Sequence, residues 1–181
     1  MNKDIDLSTL ELKTDRLFLR PFTMEDLEDL NAYASVEGVG EMAGWSHHES
    51  MEESEEILKQ FIEEKKTLAI VKDDKVIGSI GVERYDEQDH PEFHALIGRE
   101  IGFVLSKDYW GQGLMAEAVE KVLDYLFNEE YLEFVLVNHF KDNEQSKRVI
   151  EKAGFTYLKE VIFHKFDEAR ETLVYIKERP E

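Results

Sequence analysis

The sequence predicts an α+β fold in which a mixed, mostly antiparallel central sheet of about six or seven strands is flanked by about four helices. Segments of alternating or continuous apolar residues, typical of strands, are interspersed with segments whose apolar residues recur at helical spacing. The chain has no internal repeat and no Pro-, Gly- or Ser-rich linker. Its 181 residues, 42% of them hydrophobic, suffice for one domain with a sizeable core. We therefore expect a single domain spanning residues 1–181.

The first half of the chain predicts a strand, two helices and a hairpin. In order these are a strand that begins at residue 16 and ends at Pro21, a helix over 24–34, a helix from 51 to about 65, and a hairpin over 67–86. Thr23 and Asp26 resemble a capping box for the first helix. Ser50 is a suitable N-cap for the second.

The second half predicts strands and helices in alternation, followed by an antiparallel pair of strands. They are a strand over residues 96–106, a helix over 115–127, a buried strand over 134–138, a helix over 143–153, and an antiparallel pair over 154–163 and 171–177. The predicted order is therefore β-α-α-β-β-β-α-β-α-β-β. This order is typical of an α+β domain with a mixed sheet.

Composition and charge exclude several classes of function. A net charge of −19 disfavours nucleic-acid binding and favours amines or basic peptides as partners, although solubility alone would also explain it. No apolar run is long enough to span a membrane, and the first residues lack a signal-peptide pattern. The absence of cysteine fits a cytoplasmic protein. His90 and His94 lie in a loop with Pro91, so no metal site is expected.

A glycine-containing segment, YWGQGLMAEA at residues 109–118, joins a predicted strand to a predicted helix. Glycines let the backbone approach a ligand, and a helix N-terminus favours negative charge, so the segment suits a phosphate. Residues 111–116 satisfy the dinucleotide fingerprint G-x-G-x-x-[GA], but the five residues SKDYW separate Gly111 from Leu105 in the strand, and the next strand ends in Asn138 rather than an acid. No Gly-Lys-Ser/Thr follows, which argues against a mononucleotide P-loop. A dinucleotide-binding oxidoreductase is kept as one alternative.

Residues 100–127 (EIGFVLSKDYWGQGLMAEAVEKVLDYLF) resemble the acyl-CoA-binding motif of the GCN5-related N-acetyltransferase (GNAT) superfamily. Three further segments resemble other parts of that family in the same order: DRLFLRPFTMEDLEDL at 15–30, GWSHHESMEESEEILKQFI at 44–62, and NEQSKRVIEKAGF at 143–155. Within the superfamily the chain is most similar to the RimJ/RimL-type ribosomal-protein N-acetyltransferases. The resemblance covers nearly the whole chain and implies the GNAT fold, with acetyl-CoA as the acetyl donor.

The resemblance also implies which residues bind the donor. The family's pyrophosphate loop corresponds to Trp110, Gly111, Gln112, Gly113, Leu114 and Met115. Met115 is larger than the usual Gly or Ala at the last place of this motif. The pantetheine arm would bind backbone groups in a strand that splays from its neighbour, at Phe103, Val104 and Leu105. Asn143 would bond the same arm, and it is also a good helix N-cap residue.

Candidate catalytic residues follow from the same resemblance. Acetyl transfer to an amine needs a base for the amine proton, a donor to the carbonyl oxygen and a proton for the thiolate. Glu100 matches the family's strand-borne glutamate base, although an exposed strand acid would give the same pattern. The backbone N–H of Phe103 or Val104 would polarise the carbonyl. Because the tyrosine of many relatives is missing here, Ser146 is a candidate acid or positioning group, or else simply a small helix residue.

The function implied is an acetyl-CoA-dependent N-acetyltransferase that moves the acetyl group to a primary amine by direct attack in a ternary complex. The acceptor would be a protein N-terminal amine or a small cationic amine such as a polyamine or an aminoglycoside, with Trp45 and His48 as walls of its channel. A non-catalytic acyl-CoA-binding module is the main alternative, supported by the missing tyrosine and by Met115. The sequence leaves the oligomeric state open, a homodimer included.

Overall fold

An eight-stranded sheet forms the centre of the molecule in the computed structural model, which describes residues 1–165 and 168–181. Its strands are β1 (Leu12–Lys13), β2 (Phe18–Pro21), β3 (Thr67–Lys72), β4 (Lys75–Glu83), β5 (Gly98–Leu105), β6 (Phe134–Phe140), β7 (Thr156–Lys165) and β8 (Glu168–Glu178). They lie in the order β1-β2-β3-β4-β5-β6-β8-β7. All neighbours are antiparallel except β5 and β6. The predicted mixed, mostly antiparallel sheet is confirmed, and the added strand is β1, which is too short to show a sequence pattern.

Within the described residues, four α-helices cover the two faces of the sheet, as predicted. They are α1 (Leu27–Ala34), α2 (Met51–Glu64), α3 (Leu114–Asn128) and α4 (Glu144–Lys152). Apolar side chains of α1 and α2 pack with those of β3 and β4 on one face, whereas α3 and α4 share the larger core on the other. Among the described residues, no helix combines the length and apolar character needed to cross a membrane.

The helix starts follow from the capping residues. The Ser50 hydroxyl accepts the Glu53 N–H at 3.1 Å and caps α2 as predicted. The Asp26 carboxylate accepts the Thr23 N–H at 2.8 Å. It also receives two hydrogen bonds of 2.8 Å from the Arg20 guanidinium. The turn at 24–26 is a 3₁₀ helix, so the regular helix begins three residues later than expected.

β5 and β6 pair for only part of their length. The parallel register joins Gly98–Ile101 to Phe134–Val137 and stops there. β5 continues to Leu105 along β4, and β6 continues to Phe140 along β8. A wedge-shaped gap therefore opens between β5 and β6 in the middle of the sheet, and it positions the candidate site.

Candidate active site

The gap presents unpaired backbone groups of β5. Ser106 donates its N–H to the Ile77 carbonyl at 2.8 Å, which fixes the alternation of backbone groups along the strand. Because successive residues direct these groups to opposite sides, those of Val104 face β4 while those of Phe103 and Leu105 face the gap. Of the two predicted carbonyl donors, the Phe103 N–H is thus the one directed into the gap.

The indole of Trp110 ties the glycine loop to β5. Its Nε1–H donates to the Leu105 carbonyl at 2.8 Å. One of the two lone pairs of the Leu105 carbonyl oxygen is therefore already used within the protein, and the Leu105 N–H is free for a ligand. The same bond sets where the loop after Trp110 begins.

The loop before α3 has the backbone geometry of an anion site. Gly111 and Gly113 are in the left-handed region, with φ of 77° and 75°, which glycine enters without strain. Because α3 begins at Leu114, the N–H groups of its first turn have no carbonyl partner within the helix. The Met115 side chain is only 3% exposed and packs in the core, so its size does not obstruct the loop backbone.

Two cations lie beside this loop, and sequence reasoning missed both. Arg16 donates to the Gln112 carbonyl at 3.0 Å and pairs with Glu117 at 2.9 Å. A Cβ added to Gly113 would lie 2.8 Å from the Lys152 ammonium nitrogen. Lys152 forms no ion pair within residues 1–165 and 168–181. No sequence signal marks these residues, because they come from the start of the chain and from α4.

A cleft of about 420 Å³, the Trp110 cleft, lies between the end of β5 and α4. Seven of the predicted donor-binding residues line it, namely Phe103, Val104, Leu105, Trp110, Met115, Asn143 and Ser146. The other four form the turn between Trp110 and Met115, and they are Gly111, Gln112, Gly113 and Leu114. The structure thus brings the predicted donor-binding residues to one end of the gap.

Asn143 caps α4 and holds Ser146. Its Oδ1 accepts the Ser146 N–H at 3.0 Å, and its Nδ2 donates to the Ser146 hydroxyl at 2.9 Å and to the Met42 carbonyl at 3.2 Å. Both amide hydrogens are used within the protein, so a donor group could be bonded only through the remaining Oδ1 lone pair. The Ser146 hydroxyl accepts from Asn143 and keeps its own hydrogen to donate.

Glu100 and Ser146 line one further cleft of about 710 Å³, the Glu100 cleft. Burial raises the pKa of Glu100 to about 7, and the neighbouring Glu83 carboxylate adds to the shift. The Asn138 amide donates a hydrogen bond of 3.1 Å to the Glu100 carboxylate, and this bond lowers the pKa and so opposes the effect of burial. Near neutral pH, Glu100 is therefore divided between a form that accepts a proton and a form that has one, as a general base requires.

A third space of about 1310 Å³, the Tyr33 groove, lies between α1, α2 and the sheet. Trp45 and His48 line it with their rings 5.2 Å apart. Burial lowers the pKa of His48, whose Nδ1 is 2.7 Å from the Ser54 hydroxyl. Glu83 lines both this groove and the Glu100 cleft, and it is the register partner of Glu100. The two spaces therefore adjoin at Glu83.

No cluster of three or more His, Cys, Asp or Glu side chains suited to a metal ion occurs in the described part of the chain. His90 is 4% exposed beside Phe93, and its Nδ1 is 3.7 Å from a carboxylate oxygen of Glu92. His94 is exposed and contacts the Pro91 carbonyl at 3.1 Å. The absence of a metal site stays a prediction.

Comparisons with known proteins identify the family and agree with the fold. The family model for the acetyltransferase (GNAT) domain matches residues 16–156. The uncharacterized N-acetyltransferase YoaA of Bacillus subtilis is 32% identical over 155 residues, covering 80% of this chain and 81% of that protein. A GNAT-family acetyltransferase structure from Bacillus anthracis superposes with a TM-score of 0.83 at 22% identity, covering 95% and 100% of the two chains. The microcin C7 self-immunity acetyltransferase MccE, solved with acetyl-CoA and AMP, superposes with a TM-score of 0.76 at 16% identity. The match covers 91% of this chain and 93% of that one.

Proposed function

We propose a function from one premise: the chain belongs to the acetyltransferase (GNAT) family, and it is an acetyltransferase. The proposal is that it transfers the acetyl group of acetyl-CoA to a primary amine by direct attack within a ternary complex. The observation that carries it is that Glu100 and Ser146 line the same cleft, beside the gap between β5 and β6. A base and a hydroxyl donor thus meet where backbone groups are unpaired.

The residues around the gap fit acetyl-CoA as donor. Left-handed glycines and the start of α3 suit its pyrophosphate, and the unpaired groups of Phe103 and Leu105 suit the amides of its pantetheine arm. The bound donor supplies a thioester carbonyl that an amine can attack. Binding in MccE, which shares the fold, supports the same choice of donor.

The proposed mechanism assigns one role to each group. Glu100 takes the proton that the attacking amine nitrogen loses as its bond to the carbonyl carbon forms. The Phe103 N–H donates to the carbonyl oxygen as negative charge develops there. As the carbon–sulfur bond breaks, the Ser146 hydroxyl donates a hydrogen bond to the departing thiolate. The thiolate takes one proton from water and leaves as the thiol, and Glu100 returns the amine proton to water, so that protons balance over the cycle. Asn143 holds Ser146 in place for this step.

Titration calorimetry with acetyl-CoA, CoA and NAD tests the proposal directly. We expect acetyl-CoA and CoA to bind in the micromolar range and NAD to give no signal. Thiol release from acetyl-CoA in the presence of an amine panel then tests turnover. Binding without turnover by any amine would favour the non-catalytic acyl-CoA module, and NAD binding alone would favour the dinucleotide alternative.

Replacing Lys152 with glutamine is expected to weaken acetyl-CoA binding by about ten-fold and to reduce its salt dependence, because an unpaired cation beside the phosphate loop is lost. Calorimetry at low and high salt measures both effects. Lys59→Gln makes the same charge change on the exposed side of α2, and it should bind like the parent protein. Equal weakening by the two variants would mean that only the overall charge matters.

Three other expectations stay predictions: a single domain over residues 1–181, a closer relation to the RimJ/RimL type, and a cytoplasmic location. The oligomeric state stays open, with a homodimer as one possibility.

A further inference from the structure

We propose that Arg16 is a positioning residue of the donor site, which fixes the peptide group between Gln112 and Gly113 so that the Gly113 N–H points toward the pyrophosphate of acetyl-CoA. This inference rests on the proposed function and adds to the donor site a residue that lies outside the glycine loop. Arg16 belongs to the turn between β1 and β2, and 96 positions of the chain separate it from Gln112.

The loop between Trp110 and α3 holds a series of free backbone donors. Within the described residues, none of the N–H groups from Gly111 to Ala116 donates to a backbone carbonyl. Successive N–H groups bind an anion when they converge on one side of the chain. The orientation of each peptide group in this loop therefore decides how many donors a phosphate meets.

Arg16 sets the orientation of one of these peptide groups. Its Nη1 donates to the Gln112 carbonyl at 3.0 Å, and in the described part of the chain no backbone N–H donates to that carbonyl. The peptide bond is trans, so its C=O and N–H point in opposite directions. A Gln112 carbonyl turned toward Arg16 therefore turns the Gly113 N–H to the other side of the loop.

The glycine makes this peptide group easy to turn over. Such a rotation changes ψ of Gln112 and φ of Gly113 and leaves the rest of the chain in place. Gly113 has a φ of 75°, and a glycine adopts negative φ about as readily. The bond from Arg16 thus selects one of two accessible orientations. Without it, only a fraction of the molecules would present the Gly113 N–H, and the affinity for the pyrophosphate would fall by that fraction.

Glu117 holds Arg16 in the required place. This carboxylate in the first turn of α3 accepts the Arg16 Nε–H at 2.9 Å and the Arg16 backbone N–H at 3.2 Å. It also accepts the Thr14 hydroxyl at 2.6 Å, so the turn between β1 and β2 is attached to α3. The planar guanidinium bonds the carboxylate and the Gln112 carbonyl at once. A lysine ammonium, which is a compact point charge, lacks this spread of donors.

The charge of Arg16 is already balanced within the protein. Arg16 and Glu117 form an ion pair of 2.9 Å, so the pair as a whole attracts a phosphate weakly. Lys152 is the other cation beside the loop, and we assign the attraction of the phosphates to it. The two roles differ in their dependence on salt, because salt screens attraction between separated charges.

A substitution that conserves charge separates positioning from attraction. Arg16→Lys should weaken CoA binding about ten-fold in calorimetry, because the charge stays while the paired hydrogen bonds are lost. The dependence of binding on salt should remain parental, unlike that of Lys152→Gln. KM for acetyl-CoA should rise by the same factor with little change in kcat, since the acetyl end of the donor is proposed to bind at Phe103.

A double variant repeats the test without the ion pair. Arg16→Gln combined with Glu117→Gln leaves the net charge of −19 unchanged and should bind CoA as weakly as Arg16→Lys does. Glu55→Gln combined with Lys59→Gln is the matched control, because it removes an exposed ion pair of α2, of 3.2 Å, and should bind like the parent protein. Exposed ion pairs contribute little to stability, so urea unfolding should give similar midpoints for all these proteins.

Acetylpantetheine shows which part of the donor depends on Arg16. It has the thioester and the amides of acetyl-CoA but no phosphate. Thiol release with a fixed amine should therefore give the parental kcat/KM for acetylpantetheine in both Arg16 variants. The preference of the protein for acetyl-CoA over acetylpantetheine should fall about ten-fold.

The outcomes separate this inference from the proposed function. If Arg16→Lys binds CoA like the parent, or if its salt dependence falls as in Lys152→Gln, Arg16 acts through its charge and the inference is wrong. If kcat/KM falls equally for acetyl-CoA and acetylpantetheine, Arg16 supports the site as a whole and the inference is also wrong. The acetyltransferase stands in each of these cases. Failure of CoA and acetyl-CoA to bind the parent protein would instead overturn the proposed function.

Discussion

Replacing Glu100 with glutamine is expected to lower kcat about 100-fold or more while leaving acetyl-CoA affinity nearly unchanged. The amide has nearly the same shape and can keep a hydrogen bond with Asn138, but it cannot accept the amine proton. Because the pKa of Glu100 is raised to about 7, the activity of the parent protein should rise as the pH increases through about 7. Initial rates between about pH 5.5 and about pH 9, at saturating donor, measure both effects.

Glu178→Gln is the control for this variant, because Glu178 is an exposed carboxylate at the end of β8, opposite Phe134 where β5 and β6 are still paired, and it lines neither the Trp110 cleft nor the Glu100 cleft. It should have parental rates and the parental pH profile. If Glu100→Gln also keeps parental rates and the same profile, Glu100 is not the base, and water alone would have to accept the proton.

The raised pKa of Glu100 also predicts how stability depends on pH, and the direction is opposite to that of activity. The ordinary value for a glutamate is 4.5, so between about pH 4.5 and about pH 7 the unfolded chain loses the Glu100 proton while the folded chain keeps it. The folded state then binds more protons, and the free energy of unfolding falls as the pH rises through this window. Glu100→Gln lacks this loss, so urea unfolding should find the variant more stable relative to the parent near pH 8 than near pH 5.

Local patterns in the sequence were sufficient to predict most of the fold. The hairpin at 67–86, the cap at Ser50 and the helix at 115–127 each depend on neighbours within a few residues, and each is confirmed. β1 was missed because two residues are too few for any periodicity. The order of strands, with β8 between β6 and β7, depends on long-range packing that no local pattern contains.

The candidate site was predictable where a motif marks it. The resemblance to one family placed Glu100, Ser146 and the glycine loop, and the structure brings these groups to the two ends of one gap. It did not place Arg16 or Lys152 at the loop, because single exposed cations far apart in the chain give no pattern. Nor could a sequence supply the pKa of Glu100, which depends on burial by residues from several strands.

Gly113 is the position where a single substitution should abolish donor binding. Its φ of 75° is strained for any side chain, and an added Cβ would stand beside the Lys152 ammonium at the start of α3, where the pyrophosphate is proposed to bind. We expect Gly113→Ala to weaken acetyl-CoA binding about ten-fold or more. Gly113→Trp should give no measurable binding in calorimetry. Circular dichroism and urea unfolding establish that each variant is folded.

Gly154→Ala is the control for the effect of backbone strain alone. Gly154 also has a left-handed backbone, with φ of 84°, and its added Cβ would also approach a lysine ammonium, that of Lys177 at 3.1 Å. The two alanine variants should therefore lose similar stability, on the order of 1 kcal/mol each. Only Gly113→Ala should lose acetyl-CoA affinity, because only its Cβ lies where the donor is proposed to approach the backbone. A folded Gly113→Trp protein with parental affinity would mean that the pyrophosphate binds elsewhere, and the loop would then be a structural turn that precedes α3.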